Sequence, residues 1–299
     1  MGMNQIPVSI IYVNWNCSAE IIRSIESVRK ENGGRVLEII VVDNNSSEDL
    51  AVFDQPGVRL IRSEVNGGFG AGCNIGARAA RGEYLLLLNP DTILYNDVPA
   101  ILYDFMERHP LAGAAGPMVY NEDGTLDYGA GRRWMSLTND VLEHSTLCFR
   151  FPRLPLIGRP YYGDWDHRST RRVECLLGAC MMFRKKAFEA AGGFDEAFFL
   201  YCEEVDLCRR LDRAGWEIYY VHPAETLHRG RISTIKFYGE FDKIIRQYLA
   251  SSELYFRKNF GRPYAAVWRF TIGCIYFLKY LRRRRKEDLW RARWGFRLV

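Results

Sequence analysis

The feature that most constrains this chain is a series of short apolar runs, each halted by Asn or Asp. Val8-Ser9-Ile10-Ile11-Tyr12-Val13 runs into Asn14-Trp15-Asn16, and Leu37-Glu38-Ile39-Ile40-Val41-Val42 into Asp43-Asn44-Asn45-Ser46-Ser47. Tyr84-Leu85-Leu86-Leu87-Leu88 runs into Asn89-Pro90-Asp91. Strands that are apolar on both faces belong in a parallel sheet covered by helices. Between them, Ser18 opens a helix with apolar Ile21, Ile22, Ile25 and Val28, which stops at Asn32-Gly33-Gly34. Val58-Arg59-Leu60-Ile61 reads as a short strand, and the glycine-rich stretch from Asn66 to Gly72 leads into a helix over about 73–80. The order strand, helix, strand, strand, helix, strand predicts an α/β fold with an open, mostly parallel central sheet flanked by helices. Ligands bind such sheets at the carboxyl ends of the strands, which here carry Asn14/Trp15, Asp43 and Asn89/Asp91.

Further along, a helix is predicted at 97–109. Residues 120–172 are rich in Arg, Tyr, Trp, Pro and Gly with little periodicity, and read as a substrate-facing insertion or long loops. A strand-like stretch at 173–183, a helix at 185–191, a helix at 207–214 and a last strand at 216–221 follow. Residues 234–260 and 263–286 read as helical.

Charge is unevenly distributed. From Arg257 to Val299 there are 13 basic residues against 2 acidic, so the remainder of the chain carries 28 against 34. A mildly acidic body with a basic tail excludes a general nucleic-acid coat and points the tail toward an anionic surface. The eight cysteines include no Cys-x-x-Cys pair, which argues against structural zinc and for a reduced compartment. No basic residue precedes Arg23, so a signal peptide is not expected. The longest apolar stretch, Val267 to Leu281, is short for a span and contains Arg269 and Lys279, so no transmembrane helix is expected either.

Five groups of residues could carry chemistry. Asn89-Pro90-Asp91 offers a carboxylate where a buried strand stops, which suits a hard divalent cation bridging a diphosphate; it also reads as a turn starter with a helix cap. Asp43 could accept a pyrimidine N–H or a ribose hydroxyl, or open an Asx-turn. Asn66-Gly67-Gly68-Phe69-Gly70 could let backbone N–H groups approach phosphate, or be a plain turn. Glu203, Glu204 and Asp206 crowd three carboxylates beside Phe198-Phe199-Leu200-Tyr201; mutual repulsion raises at least one pKa toward values useful in a base. His228, after the last strand, is either a metal ligand or a hydrogen-bonded structural residue.

In order along the chain, the segments Val8 to Asn16, Val41 to Ser46, Asn66 to Asn74, Gly82 to Asp91, and Gly192-Gly193-Phe194-Asp195-Glu196 to Cys208 resemble family 2 glycosyltransferases, and more narrowly their rhamnosyltransferase-like branch. The resemblance runs from about residue 7 to 235. It implies a GT-A fold and an inverting, metal-dependent transfer of a sugar from a nucleotide-diphospho-sugar donor, with Mg²⁺ or Mn²⁺ as cofactor. Position by position, it places Val13 and Trp15 on the base, Asp43 on the pyrimidine, and Asn74 and Gly68 near nucleoside and phosphates. Asn89 and Asp91 fall on the family's Asp-x-Asp-like triplet, with Asp91 as metal ligand and His228 near the metal.

The family's general base is usually the Asp of a Glu-Asp pair. Here the pair is Glu203-Glu204, so Glu204 takes the base position with a side chain one methylene longer. The resemblance further implies dTDP-L-rhamnose as donor, a saccharide or polyprenyl-diphosphate-linked acceptor, and a role in cell-surface polysaccharide synthesis. On this reading residues 1–235 form the catalytic domain, with a nucleotide-binding half at 1–95 and an acceptor half at 96–235 that contains the 120–172 insertion. Residues 236–299 form a helical, basic, amphipathic region. Interleaved Trp268, Phe270, Tyr276, Phe277, Trp290, Trp294 and Phe296 suit an anionic membrane surface through 263–299, on the inner face of the plasma membrane; a packed helix or an oligomer contact is the other reading. A non-catalytic nucleotide-sugar-binding or membrane-scaffold protein is the alternative function.

Overall fold

A computed structural model describes residues 5–230 and 241–297. Its elements run β1 (Ile6–Asn14), α1 (Ser18–Asn32), β2 (Val36–Asp43), β3 (Val58–Arg62), α2 (Phe69–Ala79), β4 (Tyr84–Leu88), β5 (Thr92–Leu94), α3 (Val98–Arg108) and β6 (Ala112–Tyr120). Then come β7 (Gly131–Arg132), α4 (Leu137–His144), α5 (Leu147–Arg150), β8 (Arg171–Arg172), β9 (Cys175–Leu176), β10 (Cys180–Arg184), α6 (Lys185–Ala190), α7 (Glu203–Arg213) and β11 (Glu217–His228). The helices α8 (Phe241–Phe260), α9 (Arg262–Arg283) and α10 (Lys286–Phe296) complete the described chain. The chain divides into two compact units, one of residues 1–132 and 167–239, the other of 133–166 and 240–299.

In the first unit one nine-stranded sheet has the order β3-β2-β1-β4-β10-β6-β11-β5, with β8 paired to β11. The pairs β2–β3, β1–β2, β1–β4 and β6–β11 are parallel, whereas β10 is antiparallel to β4 and β6. Reversing direction twice brings β6 and β11 back parallel to β4. The C-terminal ends of β1, β2, β4 and β11 therefore share one edge. Side chains of β1, β2 and β4 such as Ile10, Ile40, Val41 and Leu86 are buried, as strands covered on both faces require.

β6 gives no strand signal in the sequence because Ala112-Gly113-Ala114-Ala115-Gly116-Pro117 lacks β-branched residues. Its small residues answer to neighbours instead. A Cβ on Gly113 would lie 2.7 Å from Trp216, and one on Gly116 2.9 Å from Leu176. The register of β11 shifts between Val221 and Glu225, beside the position of Pro117, where a proline cannot donate to the ladder. The 173–183 stretch is two strands rather than one, and β5 and α10 are further elements without a clear signal.

The second unit corrects the division drawn from sequence. Residues 133–166, assigned there to an insertion of the acceptor half, belong to the unit that holds the C-terminal helices. Trp268 Nε1 of α9 donates to Asp140 Oδ2 of α4 at 2.9 Å, and both residues are buried. The Tyr264 hydroxyl accepts from the Leu137 N–H at 2.9 Å, and His144 Nδ1 lies 3.0 Å from the Tyr276 hydroxyl. Trp268 and Tyr276 thus face the helix packing and not a membrane surface. Phe270 and Phe277, by contrast, are exposed. α10 folds back on α9 where Gly295 meets Gly273; a Cβ on Gly295 would lie 2.3 Å from the Gly273 Cα. The predicted helical stretch 234–260 lies partly outside the described residues, as does the 235/236 boundary. Among the described residues no helix is long and apolar enough to cross a membrane.

Candidate active site

The carboxyl edge of the sheet gathers most of the polar residues singled out above. Asn14 and Asp43, at the ends of β1 and β2, are partners in the parallel register. The Asn14 carboxamide donates to Asp43 Oδ1 at 3.1 Å and to Glu48 Oε1 at 2.9 Å. The Ser46 N–H donates to Asp43 Oδ2 at 3.3 Å, three residues on and so one beyond the spacing of the Asx-turn open in the sequence reading. Asp43 is therefore a buried carboxylate set rigidly at the mouth of the sheet. Trp15, half-buried, follows directly, with its N–H donating to Cys17 Sγ.

Three expected donor contacts are engaged in packing. The side chain of Val13 lies against Gly72 of α2, where a Cβ would come within 2.7 Å. Asn74 holds the 192–196 turn, with Nδ2 donating to Phe194 O and Glu196 Oε1 and Oδ1 accepting from the Phe194 N–H, each at 2.9 Å. Gly68, at φ +89°, faces backbone and not open space: a Cβ there would lie 2.1 Å from Phe199 O. The Phe69 N–H donates to the same carbonyl at 3.0 Å, so α2 starts at Phe69 rather than Cys73 and is fastened to the segment preceding the acid pair.

Asp91 and His228 meet. His228 Nε2 is 3.3 Å from Asp91 Oδ1 and 3.4 Å from Asn89 Nδ2, and the Arg229 N–H donates to Asp91 O. The pairing of His228 with Thr92 in the β11–β5 ladder sets this approach. Asp91 is 5% exposed, so its carboxylate sits in a recess. Among the described residues no group of three or more His, Cys, Asp or Glu gathers as a metal cage. One carboxylate oxygen and one imidazole nitrogen form a one-sided pair of ligating atoms, with the Asn89 carboxamide turning its Nδ2 toward the imidazole. Such a set fits a hard divalent ion that takes its other oxygens from a substrate.

The acid pair opens α7 instead of preceding it. Tyr201 (φ +70°) and Cys202 (φ +66°) are both left-handed, a conformation that costs non-glycine residues roughly 1 kcal/mol or more each and is typical of functional turns. This strained turn delivers Glu203 and Glu204 into the interior at 5% and 9% exposure. Burial, followed by the adjacent Glu204 charge, pushes the Glu203 carboxyl well above the usual range, and its Oε2 finds no hydrogen-bond partner among the described residues. Glu204 is bound differently, to Arg132 Nη2 at 2.7 Å. Asp206, the third carboxylate, is fully buried against Arg210 Nε at 2.8 Å and belongs to the helix.

The 177–179 segment links the two groups of residues. Ala179 O accepts from the Asn89 N–H at 2.9 Å and the Thr92 hydroxyl at 3.1 Å. One residue earlier, a Cβ on Gly178 would lie 3.7 Å from Glu204 Cγ. The edge thus gathers the buried Asp43 carboxylate, the recess where Asp91 meets His228, and the Glu204 carboxylate paired with Arg132. Arg132 was missed in the sequence reading. It lies in the apparently unstructured 120–172 stretch, and only the β7–β9 pairing, which sets it opposite Cys175, brings it beneath α7.

The open mixed sheet, flanked by helices with carboxylates at its carboxyl edge, is of the GT-A class of nucleotide-sugar transferase. The chain belongs to glycosyl transferase family 2, whose family model matches residues 9–192, and it is a glycosyltransferase. It is similar to the N-acetylglucosaminyl-diphospho-decaprenol L-rhamnosyltransferase of Mycobacterium tuberculosis, at 34% identity over 214 residues, 67% of this chain and 69% of that protein. It is also similar to the rhamnosyltransferase WbbL of Escherichia coli K12, at 29% identity over 242 residues, 75% of this chain and 86% of that protein. Among solved structures, GalNAc-T7 with UDP, GalNAc and Mn²⁺ shares the fold at a TM-score of 0.57 and 18% identity. That match covers 76% of this chain, which spans 44% of the length of GalNAc-T7.

Proposed function

We propose that this glycosyltransferase moves L-rhamnose from dTDP-L-rhamnose to a polyprenyl-diphosphate-linked saccharide, with inversion at the anomeric carbon. The observation that carries this reading is the unequal setting of two carboxylates on one turn of α7, Glu204 ion-paired to Arg132 and Glu203 buried, with its pKa pushed up by that burial and no hydrogen-bond partner for Oε2 among the described residues. A single carboxylate held in place by a guanidinium is the one proton acceptor that a single displacement needs. The likeness to two rhamnosyltransferases, one of them named for a decaprenol-linked acceptor, supports the sugar and the lipid carrier.

In this mechanism Trp15 and Asp43 hold the nucleobase, Asp43 accepting an N–H from the pyrimidine. Asn74 and Gly68 act from behind, keeping the 192–202 segment seated on α2. Glu204 accepts the proton of the acceptor hydroxyl as its oxygen attacks the anomeric carbon on the face opposite the diphosphate. One attack with one base inverts the centre. Asp91 and His228 would hold a Mg²⁺ or Mn²⁺ ion, with Asn89 beside them; when bound, such an ion neutralises charge on the departing diphosphate. Arg132 orients Glu204.

The unit of residues 1–132 and 167–239 is assigned the transfer itself, and the C-terminal helices of the other unit are assigned attachment to the inner leaflet. Val267, Phe270, Phe277, Leu278 and Leu281 form an exposed apolar stripe along α9, which ends at the run Arg282 to Lys286. Apolar area and adjacent basic charge reinforce one another at an anionic surface.

The test is ligand-dependent stability. dTDP-L-rhamnose with Mn²⁺ or Mg²⁺ should raise the melting temperature, since a ligand that binds only the folded state stabilises it by mass action. Asp91→Ala should lose the metal-dependent part and stay folded without ligand. Equal stabilisation of wild type and Asp91→Ala would remove Asp91 from the cation site, and a preference for a uridine or guanosine donor would remove dTDP-rhamnose.

A further inference from the structure

In the second unit, the segment after α4 has an unusual character. Leu147, Phe149, Phe151, Leu154 and Leu156 are 41%, 60%, 42%, 49% and 83% exposed. From Thr146 to Tyr162 the chain carries Arg150, Arg153 and Arg159 and no acidic residue. The segment is nevertheless a closed, hydrogen-bonded loop. Phe151 N–H donates to Leu147 O at 2.9 Å, Gly158 N–H to Leu154 O at 2.6 Å and Tyr161 N–H to Gly158 O at 3.0 Å. Phe149 and Tyr161 rings stand 5.7 Å apart, and a Cβ on Gly158 would lie 1.8 Å from Pro152 O. A loop this tightly closed could have folded its large side chains inward, yet it presents them to solvent.

Its position in the unit matters. The Lys279 ammonium donates to His144 O, and α5 starts three residues after His144. Lys279 lies one turn of α9 before Arg282–Lys286, so the base of the loop and the basic run sit within about two helical turns of each other. Exposed Phe and Leu beside uncompensated arginine, and no carboxylate, complement an anionic lipid surface, where apolar side chains enter the headgroup boundary and guanidinium groups meet phosphate.

We infer that the 147–156 loop is a second membrane-inserting element, seating Phe149, Leu154 and Leu156 in the headgroup region of an anionic leaflet next to the Arg282–Lys286 run. This rests on the proposed membrane attachment of the C-terminal helices and adds a contact that the helices alone do not supply. Two points of insertion from one unit fix its tilt on the surface, which a single helix does not.

The test uses the full-length protein, a Phe149→Asp/Leu156→Asp variant, and vesicles of phosphatidylcholine with or without phosphatidylglycerol. The wild type should sediment with the anionic vesicles, and the variant should partition about tenfold or more weakly. Both substituted positions are exposed, so folding should be unaffected. Amide hydrogen exchange adds a readout that needs no variant: residues 147–156 of the wild type should gain protection on anionic vesicles. Wild-type binding with unchanged variant partitioning and unchanged exchange would overturn the loop and leave the helix attachment standing. No vesicle binding by the wild type would overturn both. Protection of the loop that grows with protein concentration and without vesicles would assign it to a contact between copies of the chain and overturn the membrane role.

Discussion

Arg132 Nη2 sits 2.7 Å from Glu204 Oε1, and their side chains are only 17% and 11% exposed. A guanidinium at that distance orients the carboxylate as well as balancing it. Arg132→Gln should lower kcat by about tenfold or more with little change in donor KM, and Arg132→Lys should recover part of it, since Lys keeps the charge and loses the planar fork. In a Glu204→Gln background the same substitution should add little, because the two residues act as one unit. Independent, additive losses in steady-state kinetics would separate Arg132 from Glu204.

Glu203 and Glu204 should part company when each is made an amide. Glu204→Gln removes the group assigned to proton transfer, and turnover should fall roughly 10²-fold or more. Glu203→Gln alters a carboxyl whose pKa burial pushes up and to which no proton transfer is assigned, so turnover should change little. Its stability should change with pH. A carboxyl whose folded pKa is raised supports the fold below its unfolded pKa, near 4.3, and loses that support as pH rises toward the folded value. The melting temperature of Glu203→Gln should therefore gain on the wild type as pH climbs from about 4 to 7. A constant gap across that range would contradict the assignment.

His144 makes the opposite prediction for the second unit. Burial, with Lys279 and Arg291 nearby, takes its imidazole down to about 3, from an ordinary value near 6.5. Its support for the fold is complete above the unfolded pKa and is lost as pH falls. Stability of this unit should decline below about pH 6.5 with a slope approaching 1.4 kcal/mol per pH unit, the signature of one proton taken up on unfolding. His144→Gln should flatten that slope in urea titrations between pH 6 and 4, whatever it does to stability at neutral pH. An unchanged slope would place the acid sensitivity elsewhere.

Gly295→Ala tests the fold-back of α10. The new methyl would come within 2.3 Å of Gly273 Cα and 2.7 Å of Gly273 N, both backbone atoms that no rotamer can move. Overpacking of this kind costs about 1–3 kcal/mol. Calorimetry should show a lowered transition, and a neutral result would mean that α10 can pull away from α9 at no expense.

The parallel half of the sheet was legible because its signals are local. Buried strands such as Tyr84–Leu88 are continuous apolar runs, and the polar residues that halt them mark the ligand edge by topology alone. β6 was hidden because its small residues are chosen by Trp216 and Leu176, far away in sequence. The acid pair was visible as a cluster of charge, but not the partner that makes its members unequal. Asn74 and Gly68 show the reverse case. Their motif is conspicuous, and in the structure both serve the seating of 193–199 on α2. The aromatic tail misled for a related reason: helix periodicity does not say whether Trp268 or Phe270 turns outward until α4 supplies Asp140.

The contact between Gly68 and Phe199 has a further consequence, for how such an enzyme can diversify. With a carbonyl 2.1 Å from where a side chain would begin, the loop before α2 and the turn before α7 share one wall. Any side chain at position 68 would push on Phe199, and four residues later that push reaches Glu203 and Glu204. A lineage that altered this loop would have to retune the setting of its acid pair in the same step. Donor and acceptor preferences in chains of this design are therefore expected to change together rather than one at a time.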